Sequence, residues 1–269
     1  MDIAQTPTSH FYDKNYPFIR PKELATKARQ LFRSLKVRFL PVVDEGRLEG
    51  IITRERVLLI SSTKSNARVS DIMVDPKVTL TPDVTVVNAL KSMLSVDEWY
   101  VPVVNERNSY LGVFGLDHII SVLVNREHLS LRYRVDEFMT PNVVTVNRKD
   151  HVSKLWSKMV KYRYAGFPVV DDEGKLVGVV TQYDLIKYGF TRIDLESESS
   201  PKRGPRIEEI MSTPPITVKR DYQLIEAART LVKYEIGRVI VVDDEERMCG
   251  IIDREDIIRA YLKYIGMGE

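Results

Sequence analysis

The sequence has a single cysteine, Cys249, in 269 residues. That excludes an intramolecular disulfide and a metal site built from thiolates. No run approaches the roughly 20 apolar residues that a membrane helix needs. The opening residues, Met1-Asp2-Ile3-Ala4-Gln5-Thr6-Pro7, lack the basic-then-apolar order of a signal peptide. A cytoplasmic protein with no membrane association is expected. Net charge is nearly absent: 40 basic and 38 acidic side chains leave +2, with no overall pull toward nucleic acid. The four histidines (His10, His118, His128, His151) stand without ligand spacing, so no metal is expected. There is no Walker-type glycine loop, no Gly-x-Ser-x-Gly and no His-Glu-x-x-His, and no enzyme is expected. What is present is globular in composition, 43% hydrophobic and 29% charged.

One stretch organises the chain. In Gly178-Val179-Val180-Thr181-Gln182-Tyr183-Asp184 an apolar, β-branched run ends and a helical pattern begins. Thr181 and Asp184 therefore fall where a strand becomes a helix, beside free backbone N–H groups that suit a phosphate. A carboxylate there can accept from ribose hydroxyls while the hydroxyl donates to phosphate. Taken alone, Thr-x-x-Asp reads equally as a capping box.

The stretch recurs. Pro41-Val42-Val43-Asp44 returns as Pro102-Val103-Val104-Asn105, Pro168-Val169-Val170-Asp171 and Ile240-Val241-Val242-Asp243. The intervals, roughly 60–70 residues, are longer than those of solenoid repeats, so the unit is a small domain in four copies. The third copy predicts a strand over 142–146, a helix from Val152 with Leu155, Met159 and Val160 on one face, strands over 167–170 and 176–180, and a final helix near Tyr183. The helical stripes elsewhere are Leu24, Ala28, Leu31 and Leu35; Val87, Leu90 and Leu94; and Ala227, Leu231 and Val232. The fold class is α/β (α+β repeats), a β-α-β-β-α unit four times over. The expected division is a loosely held tail at 1–16, copies at 17–70 and 71–127, a linker at 128–135, a copy at 136–190, a linker at 191–206 and a copy at 207–269.

Three motifs mark each unit: a start such as Glu137-Phe138-Met139-Thr140-Pro141, the Pro-Val-Val-Asp strand, and the Gly-Val-Val-Thr-x-x-Asp close. Four ordered sets of them resemble four CBS (cystathionine-β-synthase) domains in two tandem pairs, or Bateman modules. The resemblance implies two pseudo-twofold pairs packed sheet to sheet, with clefts for adenine nucleotides or S-adenosylmethionine-type ligands, and no catalysis.

Carried over by residue, the resemblance makes the third copy the first candidate, in its cleft with the fourth. Thr181 and Asp184 match the phosphate and ribose positions, Val144 and Ala165 the base lining, and Arg238 a phosphate-reaching cation; Thr140, Gly166 and Phe167 complete the set. The fourth copy, ranked next, has Asp256 but puts Asp253 in the hydroxyl position, where a carboxylate repels phosphate. The first has Thr53 but replaces the ribose carboxylate with Arg56, which cannot accept; Arg38 and Arg56 could still draw an anion. The second, with Gly115 and His118, ranks last. Trp99 and Trp156 are assigned to packing. The expected function is a sensor that binds AMP, ADP or ATP, or S-adenosylmethionine, and relays occupancy to an unidentified protein partner, with a homodimer expected. Alternatives are an interaction scaffold with vestigial clefts and, with less support, a nucleic-acid binder through Arg126–Arg134 and Lys202–Arg206.

Overall fold

The computed structural model describes residues 2–60, 66–190 and 204–268. Copy one holds α1 (Ala25–Leu35), β1 (Phe39–Asp44), β2 (Arg47–Thr53) and α2 (Arg54–Leu58), and α3 (Val69–Ile72) follows. Copy two holds α4 (Val86–Ser95), β3 (Tyr100–Val104), β4 (Tyr110–Gly115) and α5 (Leu116–Asn125). In copy three β5 (Val146–Asn147), α6 (Val152–Tyr162), β6 (Gly166–Val170), β7 (Leu176–Thr181) and α7 (Gln182–Tyr188) follow one another. Copy four has β8 (Thr217–Lys219), α8 (Leu224–Lys233), β9 (Arg238–Val242), β10 (Met248–Asp253) and α9 (Arg254–Tyr264). Each copy closes on an antiparallel hairpin with a bulge near the turn. In copies three and four the first strand joins the hairpin in parallel. In copies one and two it shrinks to one bridge, Ile19 to Val42 and Leu80 to Val103. The expected strand over 142–146 is shorter and later, at Val146–Asn147, because the residues before it run elsewhere.

Where they run explains the repeat. None of α1, α4, α6 and α8 has a side-chain cap. Instead, the first N–H of each donates to a carbonyl from another part of the chain. Ala25 donates to Ala67 (2.9 Å), Val86 to Thr6 (2.9 Å), Val152 to Pro205 (3.1 Å) and Leu224 to Tyr133 (2.8 Å). A backbone carbonyl thus satisfies one of the donors that a helix start leaves without an intrahelical partner. The same segments continue to the last strand of the copy they have capped, with Ile51 donating to Val74, Val113 to Asp13, Val179 to Ser212 and Ile251 to Thr140. The segment before copy one therefore docks on copy two, and the segment before copy two docks on copy one. Copies three and four exchange theirs in the same way. Each docking point is a strand glycine. A Cβ on Gly178 would lie 2.8 Å from Met211 Sδ and from Ser212 O, and one on Gly250 2.6 Å from Met139 Sδ. The Met of the starting motif and the Gly of the closing motif are two sides of one contact.

The chain divides into two compact units, one holding copies two and four (1–16, 76–143, 216–269) and the other copies one and three (17–75, 144–215). In the first, α5 packs on α8 and α9 around Leu90, Met93, Phe114, Ile119, Leu231 and Tyr261. In the second, α1 and α2 pack on α7 around Phe32, Leu40, Ile52, Leu155, Phe167 and Leu185.

Three expectations need correction. The first 16 residues are not loose: Ile3, Ala4, Thr6 and Thr8 are buried, and Thr8 donates through its hydroxyl to Thr81 O at 3.0 Å. The linker over 128–135 is folded as well, with a 3-10 turn at Leu129–Arg132 that buries Ser130 and Leu131. Leu24, Leu35 and Val160 are about half exposed, at 48%, 48% and 51%. Ala25, Phe32 and Trp156 take the inward phase of those helices. Most of the expected linker at 191–206, Lys202 and Arg203 included, lies outside the described residues.

Candidate functional site

The four strand-to-helix corners are homologous positions filled by different chemistry. In copy three, β6 and β7 pair Gly166 with Thr181 across the ladder. An added Cβ would meet Thr181 Cγ2 at 2.8 Å, so a larger residue here would displace the Thr181 side chain. Thr181 then starts α7, and Asp184 falls one turn in, 4% exposed. Its Oδ2 accepts from the Thr181 N–H and from the Thr181 hydroxyl, both at 2.8 Å, and its Oδ1 from the Ser212 hydroxyl at 3.4 Å. Burial pushes this carboxyl above the usual range, against the pull of those hydrogen bonds. Gln182 N–H donates to Ala165 O at 2.8 Å, which closes the corner. Val144 is half-buried and Ala165 exposed. Phe167 turns its ring into the core, packed on Tyr162 and Tyr164, so it can offer a ligand only backbone.

Thr140 and Arg238 belong to the other unit. Thr140 is held by its backbone on Ile251 of copy four, with an exposed side chain. Arg238 opens β9 directly across from Asp253. The two form an ion pair at 3.8 Å, and the guanidinium lies over the Trp99 ring, 5.4 Å from its centroid. Asp253 caps α9 by accepting from the N–H groups of Glu255 (2.9 Å) and Asp256 (3.4 Å), and Asp256 accepts from Asp253 N–H at 2.8 Å. Burial first, then the neighbouring Asp253 charge, raises the Asp256 pKa to about 8. Glu255 is raised by burial and by its contact with Asp97, and accepts from Trp99 Nε1 at 3.0 Å.

In copy two the cross-strand partner of Gly115 is Tyr100, whose ring carbons would lie 2.7 Å from a Cβ there. The Tyr100 hydroxyl donates to Asp117 at 3.0 Å and accepts from Arg254 of copy four. Arg254 is buried and lies 5.6 Å from the Tyr100 ring and 6.0 Å from the Trp99 ring. His118 donates its backbone N–H to Asp117 at 3.1 Å. In copy one, Thr53 accepts from Arg56 N–H at 3.4 Å, with Arg38 and Arg56 half-buried nearby in sequence. Arg54 donates to Val37 O at 2.9 Å and lies 5.3 Å from the Tyr183 ring of copy three.

Sequence reasoning missed Ser212, Trp99, Tyr100 and Arg254. A signal existed for two of them. Tyr100 opens its strand as Gly166 and Arg238 open theirs, and Arg254 follows Asp253 as Arg54 follows Thr53. No helix among the described residues is long and apolar enough to cross a membrane, and among them no cluster of metal-ligating side chains forms.

The model of the CBS domain matches residues 9–62, 69–125, 135–190 and 207–263. Protein MJ1404 of Methanocaldococcus jannaschii, uncharacterized, is 29% identical over 265 residues, 96% of this chain. The chain spans 62% of that relative's length. Protein MJ1225 of the same organism is 26% identical over 285 residues, covering 97% of this chain and 98% of its own. Its crystal structure, proposed as an archaeal homolog of g-AMPK, aligns with a TM-score of 0.81 at 25% identity over 97% of this chain and 100% of that one. CBSX2, solved in complex with AMP, is 33% identical over 49% of this chain and 98% of its own, with a TM-score of 0.43.

Proposed function

Since the chain belongs to the CBS-domain family and carries four copies of that domain, we propose that it is a regulatory module that senses an adenine nucleotide. The observation that carries this reading is Asp184. It is a buried carboxylate at a strand-to-helix corner, held by one backbone N–H and two hydroxyls, with no guanidinium or ammonium bonded to it among the described residues. A pair of ribose hydroxyls supplies donors to such a group, and the Thr181 hydroxyl, freed from it, turns to a phosphate oxygen. Val144 and the backbone from Ala165 to Phe167 line the base.

In this reading AMP, ADP, ATP and S-adenosylmethionine share the adenosine part that Asp184 reads. Occupancy shifts the module between arrangements only by its differential affinity for them, and a partner protein or a second copy of the chain receives the change. The similarity to MJ1225 supports a regulatory role. Calorimetry with those four ligands is the test; heats from none of them, or heats that Asp184→Ala leaves untouched, would count against this corner. A scaffold reading draws on copy two, where Tyr100 packs over Gly115 and fills the corner with the chain's own side chain. Partner capture that nucleotide leaves unchanged would favour it.

A further inference from the structure

Charge is nearly balanced over the whole chain but not along it. From Arg20 to Arg38 there are seven basic side chains and one acidic, Glu23, so the remainder of the chain is net acidic. This stretch leads into α1, which itself carries no acidic residue. Along one face of α1, Thr26, Arg29, Gln30 and Arg33 recur at helical spacing. Together with Lys22, Leu24 and the ion-paired Glu23 and Lys27 they line a groove of about 550 Å³. Arg29 is its buried member, 4% exposed, and its guanidinium donates to Val57 O and Ile60 O, both at 2.7 Å. The end of α2 thus fixes one positive charge beneath the groove. Lys22 and Arg33 are exposed and form no ion pair among the described residues. Leu24, about half exposed, is the one large apolar side chain in the lining.

We propose that this groove docks a short acidic segment of a partner protein, with carboxylates on Lys22 and Arg33 and an apolar side chain on Leu24. Charge complementarity sets the sign of the occupant. Glu23, the one carboxylate of the lining, is taken by Lys27, which leaves Lys22 and Arg33 to an incoming anion. The lining sets its class. Successive bases of a single strand stack on aromatic rings, and the lining has none. A lipid surface takes the apolar face of a helix, whereas this groove is concave and polar but for Leu24. The helix rises about 12 Å from Ala25 to Arg33, a span covered by about four residues of extended chain. Contacts this few and this exposed give a weak, salt-dependent association. The docking does not depend on the nucleotide reading of the Asp184 corner.

The test titrates the full chain into a fluorescein-labelled peptide of glutamates around one leucine and follows anisotropy at low salt. Binding is expected, and it should weaken about tenfold or more in Lys22→Glu/Arg33→Glu. Raising the salt to about 0.5 M should weaken it in the same direction. Lys22→Gln/Arg33→Gln should lose less than the charge reversal, and a thermal melt on both double variants excludes a folding defect. Leu24→Ala should weaken the leucine-containing peptide and leave an all-glutamate peptide unchanged. Arg107→Glu, at an exposed turn of copy two, controls for general charge and should bind as wild type does. No binding of the peptide, or equal losses in Arg107→Glu and the double reversal, overturns the proposal. Tighter binding of an oligothymidylate or of phosphatidylserine vesicles, lost in the double reversal, overturns it in favour of nucleic acid or membrane. Self-association of the chain that the double reversal abolishes makes the occupant a second copy and overturns the partner.

Discussion

Replacing Asp184 by asparagine and, separately, by alanine divides the two tasks its carboxylate performs. As a cap, it satisfies the Thr181 N–H at the start of α7. Removing such a cap costs about 0.5–2 kcal/mol, and the desolvation that raises its pKa offsets part of that. Asp184→Ala should therefore lower stability by about 0.5–1.5 kcal/mol, a fall in melting temperature of roughly 1–6 °C for a chain of this size. Asparagine retains an oxygen for the Thr181 N–H and should lose less than about 1 kcal/mol. As a ribose acceptor, the charge itself matters. Hydrogen bonds to an ionised group contribute about 1.5–3 kcal/mol, so both variants should bind AMP about 10- to 150-fold more weakly. Thermal unfolding and AMP calorimetry on the three proteins read the two tasks apart. A cycle with 2′-deoxy-AMP sharpens the second: the deoxy penalty in wild type should shrink in Asp184→Asn, because the hydroxyl and the charge are one interaction. If Asp184→Asn binds AMP as wild type does, the carboxylate is a helix cap and nothing else.

The exchanged segments make a second prediction. Gly178→Ala brings a methyl against Met211 Sδ and Ser212 O, both 2.8 Å from the added carbon, and should cost about 1–3 kcal/mol. A denaturation midpoint equal to wild type would show that the contact yields freely. Deleting residues 2–13 removes the carbonyls that cap α4 and the buried Ile3 side chain. A loss of about 2–4 kcal/mol is expected from the apolar burial and the cap together, read as an earlier urea transition; an unchanged midpoint would contradict the docking. Asp256 gives the pH dependence. Its folded pKa, about 8, lies above its ordinary 3.8, so from about pH 4 to 8 the folded state keeps a proton that the unfolded state has lost. Stability is greatest below that window and falls as the pH rises through it, by up to about 1.4 kcal/mol per pH unit. Asp256→Asn should flatten the urea midpoint between pH 5 and 8, and equal slopes in the two proteins would rule this source out.

The hairpins and the closing corners were legible because they are local. A Pro-Val-Val-Asp strand, a turn and a Gly-x-x-Thr strand lie within about 15 residues, and four repetitions remove the ambiguity that one would leave. Helix phase was less legible. Leu24 and Leu35 fit an i, i+4, i+7 stripe as well as Ala25 and Phe32 do, and only the neighbours that α1 meets decide between them. Least legible was the destination of each starting segment. The segments before copies one and two make the same pair of backbone contacts, one at a helix start and one on a last strand, and nothing local says that each serves the other copy. The clue available was partial: Leu24, His151 and Gln223 at the helix starts are not favoured caps, whereas Thr85 is one and still makes no side-chain cap bond. A helix start without a side-chain cap requires an acceptor from elsewhere. Four such starts at equivalent positions call for four segments to fill them.

The same exchange bears on the candidate site. Ser212 reaches Asp184 because the segment that precedes copy four is laid on copy three. Thr140 sits on copy four because the segment that precedes copy three is laid there. The corner of copy three thus contains Thr181 from its own strand end, Asp184 from its own helix and Ser212 from the start of the neighbouring copy. In the reading proposed above, a nucleotide at Asp184 would also meet Ser212, and the chain from Ser212 to β8 is only a few residues long. Ser212→Ala leaves the Thr181–Asp184 bonds in place and removes only the hydroxyl's bond to Asp184.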